Sequence, residues 1–347
     1  MDHSYISESY KSSKEKCLHG RYITLNHIHP ILSDLSSQIT YQQIGSSEFD
    51  KPIYEFNLGK GTKKILIWTQ MHGNESTGTK AVFDFFKYIG CINDDYVNTI
   101  LSTCRIKVIP ILNPDGAELY TRTNGNDVDL NRDAVNRRAI ESNVLRNSLD
   151  TFKPDFCFNL HDQRTIFGVS GTQNPATISF LAPSEEVTRS VTKGRKKTMN
   201  IIIAMNKVLQ QLLPGHVGRY TDEFYPGATG DNFQKLGYPT ILIESGHYPN
   251  DYEREEVRKY KFACLVKGIH HIASQEDFSS YEDYFTIPDN EKNFYDILHS
   301  HANGKNEAFQ YKEVLKKGEI IFIPEKVKNN ISNHFFHKEI VFADGKC

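Results

Sequence analysis

Six short apolar runs set the strongest constraint on what this chain can become. They are "IYEFNLG" (53–59), "KILIWTQ" (64–70), "CRIKVIPILN" (104–113), "DFCFNLH" (155–161), "SFLAP" (179–183) and "PTILIES" (239–245). Each is short and rich in β-branched or aromatic residues. Near-continuous hydrophobicity over so few positions marks strands buried on both faces. Helical periodicity fills the gaps: 76–89, 137–151 with Ile140, Val144, Leu145 and Leu149 on one face, 188–213, and about 250–274. Strands alternating with helices predict an α/β sheet covered on both sides. The pattern breaks near residue 275, where "SQEDFSSYEDYFTIPDNEKN" is polar and acidic; "IIFIPE" (320–325) and "EIVFADG" (339–345) then read as short strands. The expected organisation is a main domain over 1–274 and a small, partly β appendage over 275–347. A linker with a few edge strands packed on the main body fits the same pattern.

Bulk properties exclude several classes. Of 347 residues, 38% are hydrophobic and 12% aromatic, enough for a sizeable core, and the formal net charge of −2 advertises no basic face. Nucleic acid and anionic membranes are not expected partners. The N-terminal twenty residues are polar with no secretory h-region, and no apolar run approaches the roughly 20 residues that span a bilayer. Cys17, Cys91, Cys104, Cys157, Cys264 and Cys347 are scattered without CxxC spacing. That usage suits reduced thiols in a cytoplasmic protein, and any metal site would not be built on sulfur.

Several strand ends carry chemistry. The run at 64–70 stops at His72-Gly73-Asn74-Glu75, where Gly73 lets the backbone bend. This quartet reads either as a helix start, with Ser76 or Thr77 as cap, or as an HxxE metal pair of imidazole nitrogen and carboxylate oxygen. His161 ends the run at 155–161, and Glu244 nearly ends the one at 239–245. Ligands in open α/β sheets bind beyond the carboxyl ends of strands, where His72, Glu75 and His161 all fall. A lone carboxylate such as Glu244 either caps a turn or, beside a metal-activated water, takes its proton. After the run at 104–113, "NPDG" turns the chain, and Arg122, Asn131 and Arg132 reach the same end of the sheet. They read as a solvated loop with Arg–Asp pairs or as a carboxylate clamp.

The order HxxE, NPDG, Arg, DxNR, strand-end His, strand-end Glu resembles the zinc carboxypeptidase (funnelin) family of metallopeptidases, over roughly residues 22 to 272. The resemblance implies an α/β/α sandwich with a mixed, mostly parallel sheet. It implies one Zn2+ per chain, held by His72, Glu75 and His161, with Glu244 as general base and acid. Arg122 matches the arginine that stabilises the oxyanion, and Asn131 and Arg132 the pair that holds the substrate's terminal carboxylate. Asp129 matches a carboxylate that orients the first zinc histidine, a role that makes physical sense because a ligand imidazole needs its other N–H fixed. Tyr225 stands near the place of the substrate-capping tyrosine, a few residues short in spacing. Gly230 falls at the specificity position, where no acid would select C-terminal Lys or Arg.

The interval from Arg132 to His161 is shorter than in the digestive enzymes of the family, like a compact bacterial-type branch. "HDQRTIFG" adds Asp162 and Arg164, and Arg164 reads either as a surface arginine or as part of a subsite for acidic substrates. His247, three after Glu244, falls near the site. His27, His29, His270, His271, His334 and His337 lack acidic companions at strand ends. The expected reaction is zinc-dependent hydrolysis of an amide, removing the C-terminal residue of a peptide. Two alternatives stay open: a deacylase of N-acyl amino acids of the aspartoacylase and desuccinylase kind, and a non-catalytic module that binds carboxylates.

Overall fold

The computed structural model describes residues 1–301, 306–327 and 331–342; Cys347 and positions 343–345 of the last expected strand lie outside them. In chain order the first strands are β1 (Ile39–Ser46), β2 (Pro52–Leu58), β3 (Lys63–Thr69), β4 (Cys104–Ile109) and β5 (Phe156–Asp162). Then come β6 (Phe167–Val169), β7 (Ile178–Leu181), β8 (Val217–Arg219) and β9 (Thr240–Ser245). The C-terminal strands are β10 (Asn290–Lys292), β11 (Phe294–His301), β12 (Glu307–Lys316), β13 (Glu319–Lys326) and β14 (Phe335–Phe342). The helices are α1 (His3–Ser13), α2 (Leu25–Ile28), α3 (Thr77–Cys91), α4 (Asp95–Thr103), α5 (Pro114–Leu119), α6 (Ile140–Phe152), α7 (Lys193–Leu212), α8 (Thr229–Lys235) and α9 (Glu255–Ser274).

Among the described residues, eight strands form one sheet in the order β1-β2-β4-β3-β5-β9-β7-β8. The central four, β4, β3, β5 and β9, run parallel, while β1, β2 and β7 join antiparallel. The sheet is mixed and mostly parallel, as expected. Alternation along β3 shows why its strands read as unbroken apolar runs. Ile65 and Ile67 pack with Phe83 and Phe86 of α3 and Phe262 and Leu265 of α9. Leu66 and Trp68 point the other way, to Leu145, Leu149 and Phe152 of α6 and Phe233 of α8. Each fully buried side chain of this kind contributes about 1.5–3 kcal/mol.

The expected strand over 104–113 stops at Ile109, because Pro110 has no N–H to continue the ladder. Pairing resumes beyond it, with Leu112 N–H on the Thr69 carbonyl and Asn113 N–H on that of Gln70, both at 3.2 Å. A buried ion pair joins α3 to α9: the Arg258 guanidinium donates to both Asp84 oxygens at 2.5 and 2.6 Å. It also donates to the Leu18 and Glu15 carbonyls, so the charge is saturated.

The C-terminal strands form a separate four-stranded sheet, β13-β12-β11-β14, while β10 pairs with β6 of the main body. Two carboxylates fasten this sheet. Glu313 of β12 receives Arg21 at 2.9 and 3.0 Å and the Tyr120 hydroxyl at 2.5 Å. Asp296 of β11 receives the Tyr252 hydroxyl at 2.9 Å, the Tyr311 N–H at 2.7 Å and the Thr165 hydroxyl at 3.2 Å. No helix among the described residues is long and apolar enough to cross a membrane.

Candidate active site

The parallel strands β3, β5 and β9 end side by side, and their carboxyl ends open into a cleft of about 700 Å³. At the end of β3 the chain turns sharply: Gln70 adopts a left-handed conformation with φ of +50°. Its side chain compensates by donating to the carbonyls of Ile23 and Gly73, each at 2.8 Å, and accepting from the Thr79 hydroxyl at 2.7 Å. The bend expected at Gly73 is therefore made by Gln70. Gly73 serves a close approach instead, since a Cβ there would lie 1.8 Å from the Gly116 carbonyl carbon. Asn113 strengthens the same junction, donating to the carbonyls of Met71 and Thr123 at 3.1 Å. The HGNE and NPDG segments thus form one packed unit.

This unit aims three side chains at one point. His72 Nδ1 lies 2.8 Å from Glu75 Oε1, and His161 Nδ1, at the end of β5, lies 2.9 Å from Glu75 Oε2. One ligand atom from each of the three falls within 4.8 Å of the others, and no other such group of three occurs among the described residues. His72 Nε2 meets Asp129 Oδ1 at 3.0 Å. Because a carboxylate can only accept there, Nε2 carries a proton, and a metal would displace the Nδ1 proton that Glu75 now accepts, freeing that nitrogen's lone pair. Two imidazole nitrogens and one carboxylate suit zinc and leave a fourth position open, so the residues present fit the ion.

The electrostatics of the metal-free site point the same way. Burial disfavours the imidazolium of His72, yet Glu75 and hydrogen bonds to Asp129 and Glu75 outweigh it and lift the pKa to about 9. Glu75 is held well below the usual carboxylate range: burial pushes it up, but the two histidines overcome that. A positive partner is thus provided for inside a buried pocket, the place a divalent cation would take.

Glu244 is the Cα partner of His161 across β5 and β9, so both side chains leave the sheet on the same face. Its Oε2 is buried without a hydrogen-bond partner, as is His161 Nε2. Burial, and then the nearby Glu75 charge, raise the Glu244 pKa to about 8. Such groups are costly unless something else satisfies them, and a shifted carboxyl in a cleft is a functional-site signature.

Arg122 donates to Asp129 at 3.0 Å and to Glu75 at 3.4 Å. Asn131 and Arg132 lie on a 3₁₀ turn (Leu130–Arg132) and line the cleft. Asn131 Oδ1 accepts from the Thr229 N–H at 2.9 Å, which leaves its Nδ2 donors for a ligand. Asp162 faces inward, taking the Thr77 N–H and hydroxyl at 3.1 and 2.7 Å beside Lys261 and Arg254. His247 is buried against Tyr252 and His337 and does not line the cleft. Gly230 packs on Pro183 and Asn159, also outside the lining.

Tyr225 is not among the residues that line the cleft. It is 50% exposed, with its hydroxyl donating to Glu223 at 2.9 Å and its backbone N–H to Asp231 at 3.0 Å. Tyr220 lines the cleft instead. Burial and the charges of Glu244 and Glu75 raise its pKa far above normal, so it stays a hydroxyl donor. Arg254 also escaped the sequence reading. It donates to the carbonyls of Ser245 and Gln163 at 2.6 and 2.5 Å, pinning the loops that leave β9 and β5. Lys292, Tyr311 and Glu313 reach the cleft from the C-terminal region. No local spacing reveals these residues, because distant segments bring them together.

Comparisons with known proteins bear on the family and the fold. The profile described as zinc carboxypeptidase matches residues 25–198, half of the chain, covering both histidines, Glu75, Arg122 and the DLNR segment but ending before Glu244. Carboxypeptidase SOL1 of Arabidopsis thaliana is 26% identical over 225 residues, 58% of this chain and 45% of that protein. Carboxypeptidase E of Caenorhabditis elegans is 33% identical over 116 residues, 27% of this chain and 25% of that protein. The chain thus spans less than half the length of these curated relatives. Among solved structures, a metallo-carboxypeptidase from Burkholderia cenocepacia superposes with a TM-score of 0.58 at 18% identity, over 72% of this chain and 69% of that one. Carboxypeptidase A from Helicoverpa armigera gives 0.57 at 14% identity, over 78% and 79%. With the profile match and the shared fold together, the chain belongs to the zinc carboxypeptidase family.

Proposed function

We propose that this protein is a zinc-dependent metallocarboxypeptidase that removes the C-terminal residue of a peptide. The observation that carries the reading is the pairing of Glu244 with His161 across adjacent strand ends, with a buried, unpartnered carboxylate oxygen beside the His72–Glu75–His161 group. Zinc held by that group supplies Lewis acidity, lowering the pKa of water and polarising a carbonyl. Glu244 takes a proton from the attacking water and later delivers it to the leaving amine. Its metal-free pKa near 8 falls when a cation sits beside it, so the carboxylate form serves as the base. Arg122 directs its guanidinium toward the charge that develops on the carbonyl oxygen. Asn131 and Arg132 grip the substrate's free carboxylate, which restricts cleavage to the last bond of a chain. Asp129 holds His72 in its ligating tautomer. Cys17 and Cys91 are exposed free thiols, which fits a reducing, cytoplasmic setting.

Mass-spectrometric profiling of a peptide library tests the reading, with Glu244→Gln as control. Loss of single C-terminal residues by the wild type, absent in the variant, is the expected result. Release of the acyl group from N-acyl amino acids without trimming of peptides would make the protein a deacylase instead. Binding of carboxylates with no turnover of either kind would leave a recognition module.

A further inference from the structure

Six cationic side chains line the cleft: Arg21, Arg122, Arg132, Arg164, Arg254 and Lys292. Three of them are neutralised by neighbours. Arg21 pairs with Glu313, Arg254 with Asp162, and Arg122 with Asp129 and Glu75. Of the lining carboxylates, Glu75 and Asp162 are further occupied by the histidines and by Lys261. Among the described residues, Arg132, Arg164 and Lys292 have no carboxylate within ion-pair distance. Arg132 is matched to the terminal carboxylate in the function proposed above. Two cations then remain that a neutral peptide would leave unpaired.

These two share one wall. Arg164 follows His161 by three residues, on the loop between β5 and β6. Lys292 lies opposite Phe167 in the β6–β10 ribbon, its Nζ 5.9 Å from the centre of that ring. Phe167 in turn packs on Tyr220 at 5.2 Å between ring centroids, and both rings line the cleft. Side-chain and backbone bonds tie these segments to each other and to β9 beside the cations. Asn290 Nδ2 donates to Gln163 Oε1 at 3.2 Å, and the Gln163 N–H donates to the Ser245 carbonyl at 2.8 Å. The wall is thus braced rather than a free surface loop.

This wall and the carboxylate anchor are carried by different elements of the same cleft. His72 leads through Asp129 to Asn131 and Arg132, whose turn is backed by Thr229 of α8. His161 leads through Gln163 to Arg164, Phe167 and Lys292. With the terminal carboxylate assigned to the first wall, the second holds the cations left for the retained, acyl side. We propose that Arg164 and Lys292 form a subsite for an acidic side chain within two residues on the acyl side of the scissile bond, so that the enzyme selects peptides with an acidic penultimate region. This rests on the proposed carboxypeptidase function and deepens it. It also gives the C-terminal region a role in selection, because Lys292 comes from beyond residue 275.

The test uses paired peptides with one fixed C-terminal residue, differing only in Glu against Gln at the two preceding positions. For the zinc-loaded wild type, kcat/KM should be about tenfold higher on the Glu peptide, the effect of two ion pairs in a partly enclosed cleft. In Arg164→Gln/Lys292→Gln that ratio should fall to about one, and in Arg164→Glu/Lys292→Glu it should fall below one, with the Gln peptide preferred. Binding of the same peptides to the zinc-loaded Glu244→Gln protein, by calorimetry, gives a second readout that needs no turnover. Equal kcat/KM on Glu and Gln peptides with equal affinities overturns the subsite and leaves the carboxypeptidase function standing. No trimming of any peptide overturns the function itself; the affinity ratio then decides the subsite alone, about tenfold supporting it and unity removing it. A ratio that survives in both double variants assigns the selectivity to other residues and also overturns the proposal.

Discussion

Glu244 and Asp296 are both carboxylates carried into the molecule by a strand, yet they meet opposite surroundings. Asp296 is wholly buried, and both its oxygens are filled by Tyr252, Thr165 and the Tyr311 N–H. Glu313 is satisfied in the same manner by Arg21 and Tyr120. These acids are fasteners, holding the C-terminal sheet against the body. Glu244 keeps an oxygen without a partner, and His161 keeps a nitrogen in the same state. An unsatisfied buried polar group costs about 1–3 kcal/mol. Retaining the Glu244 oxygen unsatisfied at the cleft makes sense if a ligand completes it. The contrast separates the parts of the molecule that hold from the part that reacts.

Substitutions that split stability from chemistry probe this contrast. Glu244→Gln removes the proton acceptor while keeping the shape. We expect kcat to fall by about 10³- to 10⁴-fold with zinc content near one per chain and a melting temperature unchanged or raised. A residual rate above a tenth of wild type would remove Glu244 from the role of base. Asp129→Ala frees His72 Nε2, so zinc affinity measured by competition with a chelator should drop about 10- to 100-fold. Arg132→Ala should raise KM about thirtyfold with kcat nearly kept, because the carboxylate grip is the same in ground and transition states. Glu313→Gln should do the reverse. It leaves Arg21 without its counter-charge, so denaturant unfolding should show a loss of about 2 kcal/mol, with kcat on a neutral peptide changed less than in Glu244→Gln.

The smallest expected effect is a dependence on pH. In the metal-free protein the His72 pKa is raised to about 9, so its stabilising pairing is complete below the unfolded value near 6.5 and is lost as pH rises through 9. Glu244, raised to about 8, acts in the same direction: its contribution is complete below the unfolded value near 4.5 and is lost as pH rises through 8. Zinc requires the deprotonated imidazole and welcomes the carboxylate. The melting temperature of the chelated protein should therefore decline between pH 6.5 and 9, and the rise on adding zinc should grow over that interval. A zinc effect that shrinks with pH would contradict this assignment.

Much of the sheet was legible because its central strands are apolar on both faces, as Ile65, Leu66, Ile67 and Trp68 show. The edge strand β1 was not, since "ITYQQIGS" is largely exposed and carries no apolar alternation. Helix α1 buries only Ile6, Ser9, Tyr10 and Ser13, too weak a stripe to read. In the site, His72, Glu75 and His161 were visible because the sheet's topology places strand ends together. Tyr220 and Lys292 were hidden because their position depends on how β8 and β10 dock. Gly73 had the right residue for a different reason, a backbone contact with Gly116 rather than a turn.

The central claim is that one zinc ion joins His72, Glu75 and His161 beside Glu244. Diffraction from zinc-loaded crystals, collected on both sides of the zinc absorption edge, tests it most directly. The account predicts a single strong anomalous peak about 2.0–2.2 Å from Nδ1 of both histidines and from a Glu75 oxygen. A peak bonded to other residues, or none between these three in crystals of zinc-saturated protein, would contradict it.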